Sequence, residues 1–451
     1  MATIEAFLGW LSGIVWGPPM LILLFGTHLY LTFRLRFIQR YIFKAIRLSF
    51  ERTPGEAGDI SHFGALTTAL AATIGTGNIV GVATAIAVGG PGAVLWMWLT
   101  GVFGIATKYA EAVLSVKYRV KTAKGEMAGG PMYALERGLG WKWLGIVFAA
   151  FTVIASFGIG NMVQANSVSD LVSETFKVSP WITGLVMTIL TAVVILGGIR
   201  SIARVCERLV PFMAIGYVIG CIVLLTIHSS TLPDTIALII KSAFTGHAAV
   251  GGFAGAGIIQ AMRMGISRGL FSNESGLGSA PIVAAAAQTP NPVRQALVSS
   301  TGTFWDTVVV CLMTGLVIVN SGDWQGNLNG AALTKSAFAH VHTLGPAILS
   351  FGLLTFVFST ILGWSYYGEK ACEYLFGSRA ILPYRLAWVA AVMVGSVVKL
   401  KVVWDFADVA NACMAIPNLV ALLLLTSVIV NETKTHLWEE NYSVPVEKES
   451  A

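Results

Sequence analysis

Two short stretches of this 451-residue chain offer chemistry that an apolar helix does not. The first reads Ala69-Leu-Ala-Ala-Thr-Ile-Gly75-Thr76-Gly77-Asn78, and the second Gly269-Leu-Phe271-Ser272-Asn273-Glu274-Ser275-Gly276-Leu277-Gly278. Each is a glycine-rich, polar interruption inside a long apolar run. A helix that breaks in hydrocarbon frees backbone N–H and C=O groups, and protein, water or a ligand must satisfy them. Matching breaks in two halves of a chain point to the substrate site of a secondary transporter. Gly-x-Gly alone more often marks close helix packing; the adjoining Thr76 and Asn78 and the second break favour a site.

Other groups carry weaker signals. Arg263 and Arg268 fall inside an apolar span, where a cation requires a partner. Glu274, Asp405 and Asp408 are candidates for that partner, as an extracellular gate. Glu111 and Asp306 read as structural acids at helix ends. Five cysteines are scattered singly, with no metal-ligand or disulfide spacing, and read as small packing residues. His-Glu-x-x-His, Gly-x-Ser-x-Gly and paired aspartates on membrane helices are absent, which argues against a membrane enzyme. A channel would need a repeated filter or a continuous polar pore.

The elements that must position these residues follow from composition. The chain is 55% hydrophobic and 12% charged, with a mean hydropathy of +0.74. Soluble domains carry about 25% charged residues. Runs such as 209–227 and 412–430 are long enough to cross about 30 Å of hydrocarbon, and the period-two alternation of a membrane β-barrel is missing. The reading is an all-α integral membrane protein of about eleven transmembrane helices. Spans are expected near 11–33, 64–89, 92–117, 143–172, 181–198, 208–228, 250–288, 296–320, 345–376, 383–400 and 404–430. An amphipathic segment, 234–244, reads as interfacial. The N-terminal run lacks a basic flank and a cleavage site, so it reads as a retained helix.

Positive residues then orient the chain. With the loop after the first span in the cytoplasm, twenty-one Lys and Arg fall inside, Lys370 and Arg385 among them, and only five outside. The net charge of +6 is therefore a topology signal and not a nucleic-acid patch. The N-terminus is expected outside and the C-terminus in the cytoplasm of a prokaryotic plasma-membrane protein. With the first span set aside, the breaks lie in core spans one and six. Five spans separate them, so the two halves would run inverted. The expected division is residues 1–60 for the extra helix and basic loop, 61–230 for the first five-helix repeat, 231–431 for the second, inverted repeat, and 432–451 for the tail.

The run Pro91-Gly-Ala-Val-Leu-Trp96-Met-Trp98 resembles the P-G-A-x-F-W-M-W signature of the alanine or glycine:cation symporter family. Leu95 replaces a Phe, and Gly101 stands where Ala is usual. The two breaks resemble that family's as well, and the likeness covers nearly the whole chain. The family is in turn similar to the five-plus-five inverted-repeat fold of the bacterial leucine transporter. Its first broken helix lines up with Gly75, Thr76, Gly77 and Asn78. Its sixth lines up with Phe271, Ser272, Glu274 and Gly276 to Gly278, with Glu274 departing from a Ser.

The resemblance implies a small zwitterionic substrate, alanine or glycine. Its carboxylate would meet N–H groups at Thr76, Gly77 and Asn78, at the positive end of a half-helix. Its ammonium would meet carbonyls near Phe271 and Ser272. Asn161 and Gln164, one turn apart and so on one face, would wall the pocket with Phe157. Phe157, Phe271, Leu277 and Trp364 would restrict it to a methyl-sized side chain. A sodium ion, the co-transported partner, would sit among the Ala71 and Ile74 carbonyls and the Ser359 and Thr360 hydroxyls; those hydroxyls could instead bond back to their own helix. The implied activity is sodium-coupled symport of alanine or glycine by alternating access. The rivals are a proton-coupled symporter of a small solute and, more distantly, an ion channel. A monomer surrounded by lipid is expected.

Overall fold

A computed structural model describes residues 7–439 apart from 8, 9, 12, 52, 54, 246–253, 343 and 399–400. The side chain of Asp405, one candidate gate acid, and most of the 432–451 tail lie outside the described residues. The chain is almost wholly helical. The helices are α1 (Pro18–Arg34), α2 (Ile38–Ser49), α3 (His62–Thr73), α4 (Gly77–Gly89), α5 (Ala93–Lys117), α6 (Lys142–Phe176), α7 (Pro180–Ile195) and α8 (Gly198–Ile227). They continue with α9 (Leu232–Thr245), α10 (Ala254–Asn273), α11 (Pro292–Ser321), α12 (Gly330–Ala339), α13 (Leu344–Phe376), α14 (Ile381–Val397), α15 (Lys401–Leu424) and α16 (Thr426–Trp438).

Local chemistry sets several boundaries. Ser61 caps α3 by accepting the Gly64 N–H at 2.9 Å. Asn291 caps α11 through the Arg294 N–H at 2.9 Å, with Pro292 at the first helical position. Gly90, at φ 73, ends α4. A two-stranded hairpin, β1 (Val120–Lys121) against β2 (Met127–Ala128), follows α5.

Among the described residues, five helices are long and apolar enough to cross a membrane, and counting each bent pair as one span gives eight. The pairs are α1 with α2, α3 with α4, and the 408–424 part of α15 with α16, bent by 68°, 54° and 59°. Three expected spans fall short of that standard for visible reasons. The α5 helix carries Lys108 and Glu111, α7 has 16 residues, and α10 carries Arg263 and Arg268. Helices α2 and α12 and the hairpin are additions that the apolar runs do not signal. The core centres on α5, which packs on α1, α10 and α11, and on α13, which packs on α3, α6 and α8.

Candidate functional site

In an unbroken helix the Ala71 carbonyl would take the Gly75 N–H, and the Ile74 carbonyl the Asn78 N–H. Between α3 and α4 both pairings are redirected. The Gly75 N–H donates to Oδ1 of Asn78 at 2.8 Å, and the Asn78 N–H donates to the Gly75 carbonyl at 3.3 Å. The Asn78 side chain thus satisfies the donor that the break frees and releases the Ala71 carbonyl, while the Asn78 N–H, turned to Gly75, releases the Ile74 carbonyl. The Asn78 N–H, held by the Gly75 carbonyl, is one of the three N–H groups expected to face a carboxylate.

Helix α13 answers those carbonyls. Ser359 Oγ lies 3.3 Å from the Ala71 oxygen, and Thr360 Oγ1 lies 3.3 Å from the Ile74 oxygen. Both hydroxyls also donate to the Phe356 carbonyl of their own helix, at 2.8 and 3.0 Å. The four oxygens expected around an ion therefore lie in two hydroxyl–carbonyl pairs, all of them neutral hard oxygens. Glycine at 75 permits this approach, since a Cβ there would stand 2.6 Å from Thr360 Oγ1.

The second break, between α10 and Pro281, is built differently. Glu274, Gly276 and Gly278 all have positive φ, of 55°, 90° and 84°. Their turn is held from outside. Glu111 Oε1, on α5, accepts the Gly276 and Gly278 N–H groups at 3.0 Å each and the Asn418 amide at 2.7 Å. Asn418, on α15, also donates to the Gly276 carbonyl at 2.9 Å. The Glu274 carboxylate accepts from Trp364 Nε1 at 3.0 Å and from the Ser279 hydroxyl. The Leu277 N–H donates to the Glu274 carbonyl at 3.2 Å.

Asp306 joins the two breaks. Its Oδ1 accepts from the Asn78 amide at 2.7 Å, and its Oδ2 from Ser272 at 3.0 Å and Thr307 at 2.6 Å. The breaks also touch directly, because a Cβ at Gly77 would stand 3.3 Å from Ser272 Cα and 3.4 Å from Phe271 Cδ1. Gln164 completes the group. Its amide nitrogen donates to Thr76 Oγ1 at 3.3 Å and to the Ile159 carbonyl at 3.0 Å, while its buried oxygen has no hydrogen-bond partner. Three π-helical stretches, 77–81, 156–162 and 304–311, carry Gly77 and Asn78, Ile159, and Asp306 and Thr307, and such bulges are frequent at functional positions.

Several expectations are corrected by this geometry. The π-helical stretch of α6 widens the turn, so Asn161 and Gln164 do not share a face. Asn161 donates to the Trp388 carbonyl at 2.9 Å, and Phe157 packs on Tyr384 and Trp388 with ring centroids 5.3 Å apart. Both serve the contact with α14, and Gly160, lying under Trp364, takes the inner position instead. Gly276 faces α1, where a Cβ would stand 2.7 Å from Leu24, so it lies away from the first break. Glu274 binds Trp364 and Ser279 and is not paired with Arg263 or Arg268; Arg268 stands over the Phe271 ring at 5.9 Å.

Glu111 and Asp306 are interior to their helices and buried, not at helix ends. The signal that identifies them is an ionisable residue well inside an apolar span. Lys370, counted among loop charges, is fully buried and binds Glu126 at 2.7 Å and Glu373 at 2.9 Å. Burial alone would raise the Glu126 carboxyl, but the Lys370 hydrogen bond and charge outweigh it and hold it below its ordinary value.

The profile of the sodium:alanine symporter family matches residues 1–448. The chain is 53% identical to the sodium/alanine symporter AgcS of Methanococcus maripaludis over 94% of its length and 95% of that protein's. It is 52% identical to an uncharacterized transporter of Haemophilus influenzae over 96% of each chain. Among solved structures, MhsT in complex with L-phenylalanine superposes with a TM-score of 0.60 at 15% identity, over 86% of this chain and 95% of that one. That likeness concerns the fold.

Proposed function

The chain belongs to the sodium:alanine symporter family, and on that premise we propose that it imports alanine or glycine coupled to sodium by alternating access. Membership makes it a multi-pass membrane transporter for cation-coupled amino-acid symport, and not an enzyme. The observation that carries the finer reading is the release of the Ala71 and Ile74 carbonyls by Asn78, opposite Ser359 and Thr360. Two carbonyls and two hydroxyls form a neutral shell suited to a hard monovalent cation.

The substrate's place in this reading is beside that shell. Its carboxylate meets the N-terminal end of α4 at Thr76 and Gly77, where the helix dipole is positive. Its ammonium meets the C-terminal end of α10 near Phe271 and Ser272 and the unpartnered oxygen of Gln164. Phe271 and Trp364 limit the side chain, and an extra methylene in a tight pocket discriminates by about 1–3 kcal/mol. Ion and substrate organise the same broken backbone, so each should strengthen the other's binding. Residues 61–230 and 231–431 act as the two inverted repeats, with the basic loops in the cytoplasm.

The test is uptake of labelled alanine, glycine and leucine into proteoliposomes under separate sodium and proton gradients. Sodium-driven uptake of alanine or glycine, with leucine a poor competitor, is the expected result. Uptake driven by protons alone would overturn it. One observation favours that second reading: Glu274 is buried at the break with no arginine partner. Glu274→Gln would then abolish proton-driven uptake, whereas under sodium coupling it leaves the ion dependence in place.

A further inference from the structure

An apolar groove of about 380 Å³ lies between α2, α3, α8 and α11. Ile46 and Phe50 line it from the α2 side, Leu70 from α3, Pro211 and Ile215 from α8, and Trp305 from α11. Ile215 is 59% exposed, so the groove opens outward. Two cations stand outside the lining, on the helices that form it. Arg47 precedes Phe50 by three residues, and Arg208 precedes Pro211 by three and Ile215 by seven, spacings that place each pair on one helix face. The Arg47 side chain is 86% exposed, and Arg208 is exposed. The nearby acids are engaged elsewhere. Glu51 lies 3.8 Å from Arg47 but binds Arg294 at 2.6 Å, and Glu207 accepts from Ser61 at 2.7 Å. Phe43 and Phe50 are exposed beside these cations, a mixture typical of the membrane–water boundary.

We propose that this groove binds an anionic phospholipid, with one acyl chain along α3 and α8 and the phosphate between Arg47 and Arg208. The groove's volume suits an alkyl chain, and its lining has almost no polar surface to offer any other ligand. The charge at its mouth selects against a zwitterionic headgroup. The chain would lie against α3, the half-helix that presents Ala71 and Ile74. Any effect on transport rests on the function proposed above; the binding does not.

The test is native mass spectrometry of the purified, delipidated protein, titrated with phosphatidylglycerol or with phosphatidylcholine of equal chain length. Phosphatidylglycerol should be retained about tenfold better. Arg47→Gln and Arg208→Gln should each weaken its retention about fivefold and leave phosphatidylcholine unchanged. Ala214→Phe, which fills the groove, should lower retention of both lipids; Val218→Phe serves the same purpose if that variant fails to assemble. Equal retention of the two lipids, or retention of phosphatidylglycerol unaltered by loss of both arginines, overturns the proposal.

Discussion

The two breaks solve one problem in opposite ways. At the first, Asn78 satisfies the freed donor from within the segment, and neither Gly75 nor Gly77 has a positive φ. Glycine is needed there for space, against Thr360 and Ser272. At the second, Glu274, Gly276 and Gly278 are left-handed, and the support arrives from α5, α13 and α15 through Glu111, Trp364 and Asn418. Glycine is needed there for backbone conformation. A break that seals itself leaves its carbonyls free for other partners. A break held from outside has most of its polar groups already committed. The first therefore suits ligand binding and the second suits mechanical anchorage, which makes activity and stability separable by mutation.

The sharpest challenge is Glu111→Ala. It strands the Gly276 and Gly278 N–H groups, while the Asn418 amide keeps the Gly276 carbonyl, and buried orphans cost about 1–3 kcal/mol each. A loss of about 2–6 kcal/mol is expected, read as a large fall in melting temperature in detergent, with Glu111→Gln much milder because it keeps an acceptor. Melting of Glu111→Ala close to that of the parent protein would mean that the second break holds itself.

Gly278→Ala comes next. A Cβ would add left-handed strain and stand 2.7 to 2.9 Å from Pro131, Phe148 and Asn418. Strain and overpacking of this kind each cost about 1–3 kcal/mol. Gly75→Ala should instead leave melting nearly unchanged and displace the Thr360 hydroxyl, so the sodium concentration for half-maximal uptake rises. The comparison fails if the two alanines lower stability equally.

Asn78→Ala separates the roles further. Without Oδ1, the Gly75 N–H can return to the Ala71 carbonyl and heal the helix, so the stability loss should be confined to the donor that buried Asp306 Oδ1 loses, about 1–3 kcal/mol. Sodium affinity should drop about tenfold, the equivalent of about 1.4 kcal/mol, measured as uptake against sodium at saturating alanine. An unchanged sodium response would show that the released carbonyls do not serve the ion. The smallest effect is expected from Thr76→Val, which removes one 3.3 Å contact with Gln164. About 0.5–1.5 kcal/mol is at stake, a few-fold rise in the KM for alanine with sodium dependence intact.

Much of this architecture is legible in the sequence. Apolar runs mark the long helices, because burial in hydrocarbon demands about 20 apolar residues. The Gly-rich interruptions mark both breaks, and the oxygens of Ala71, Ile74, Ser359 and Thr360 do converge. What escaped is what depends on tertiary neighbours. A π-helical turn shifts Asn161 away from Gln164, and no local propensity announces it. Glu111 and Asp306 look like ordinary acids until the backbone N–H groups and amides they accept from are in place. Short helices such as α2 and α12 carry too few apolar residues to declare themselves.

Asn78 contacts neither of the released carbonyls through its side chain, yet its amide oxygen holds the Gly75 N–H that would otherwise close on Ala71. Turning that amide off Gly75 would let the N–H return to the Ala71 carbonyl and withdraw that oxygen from Ser359. A search for selectivity confined to the four expected oxygens would overlook the residue whose side chain and N–H keep two of them out of the helix's own hydrogen bonds.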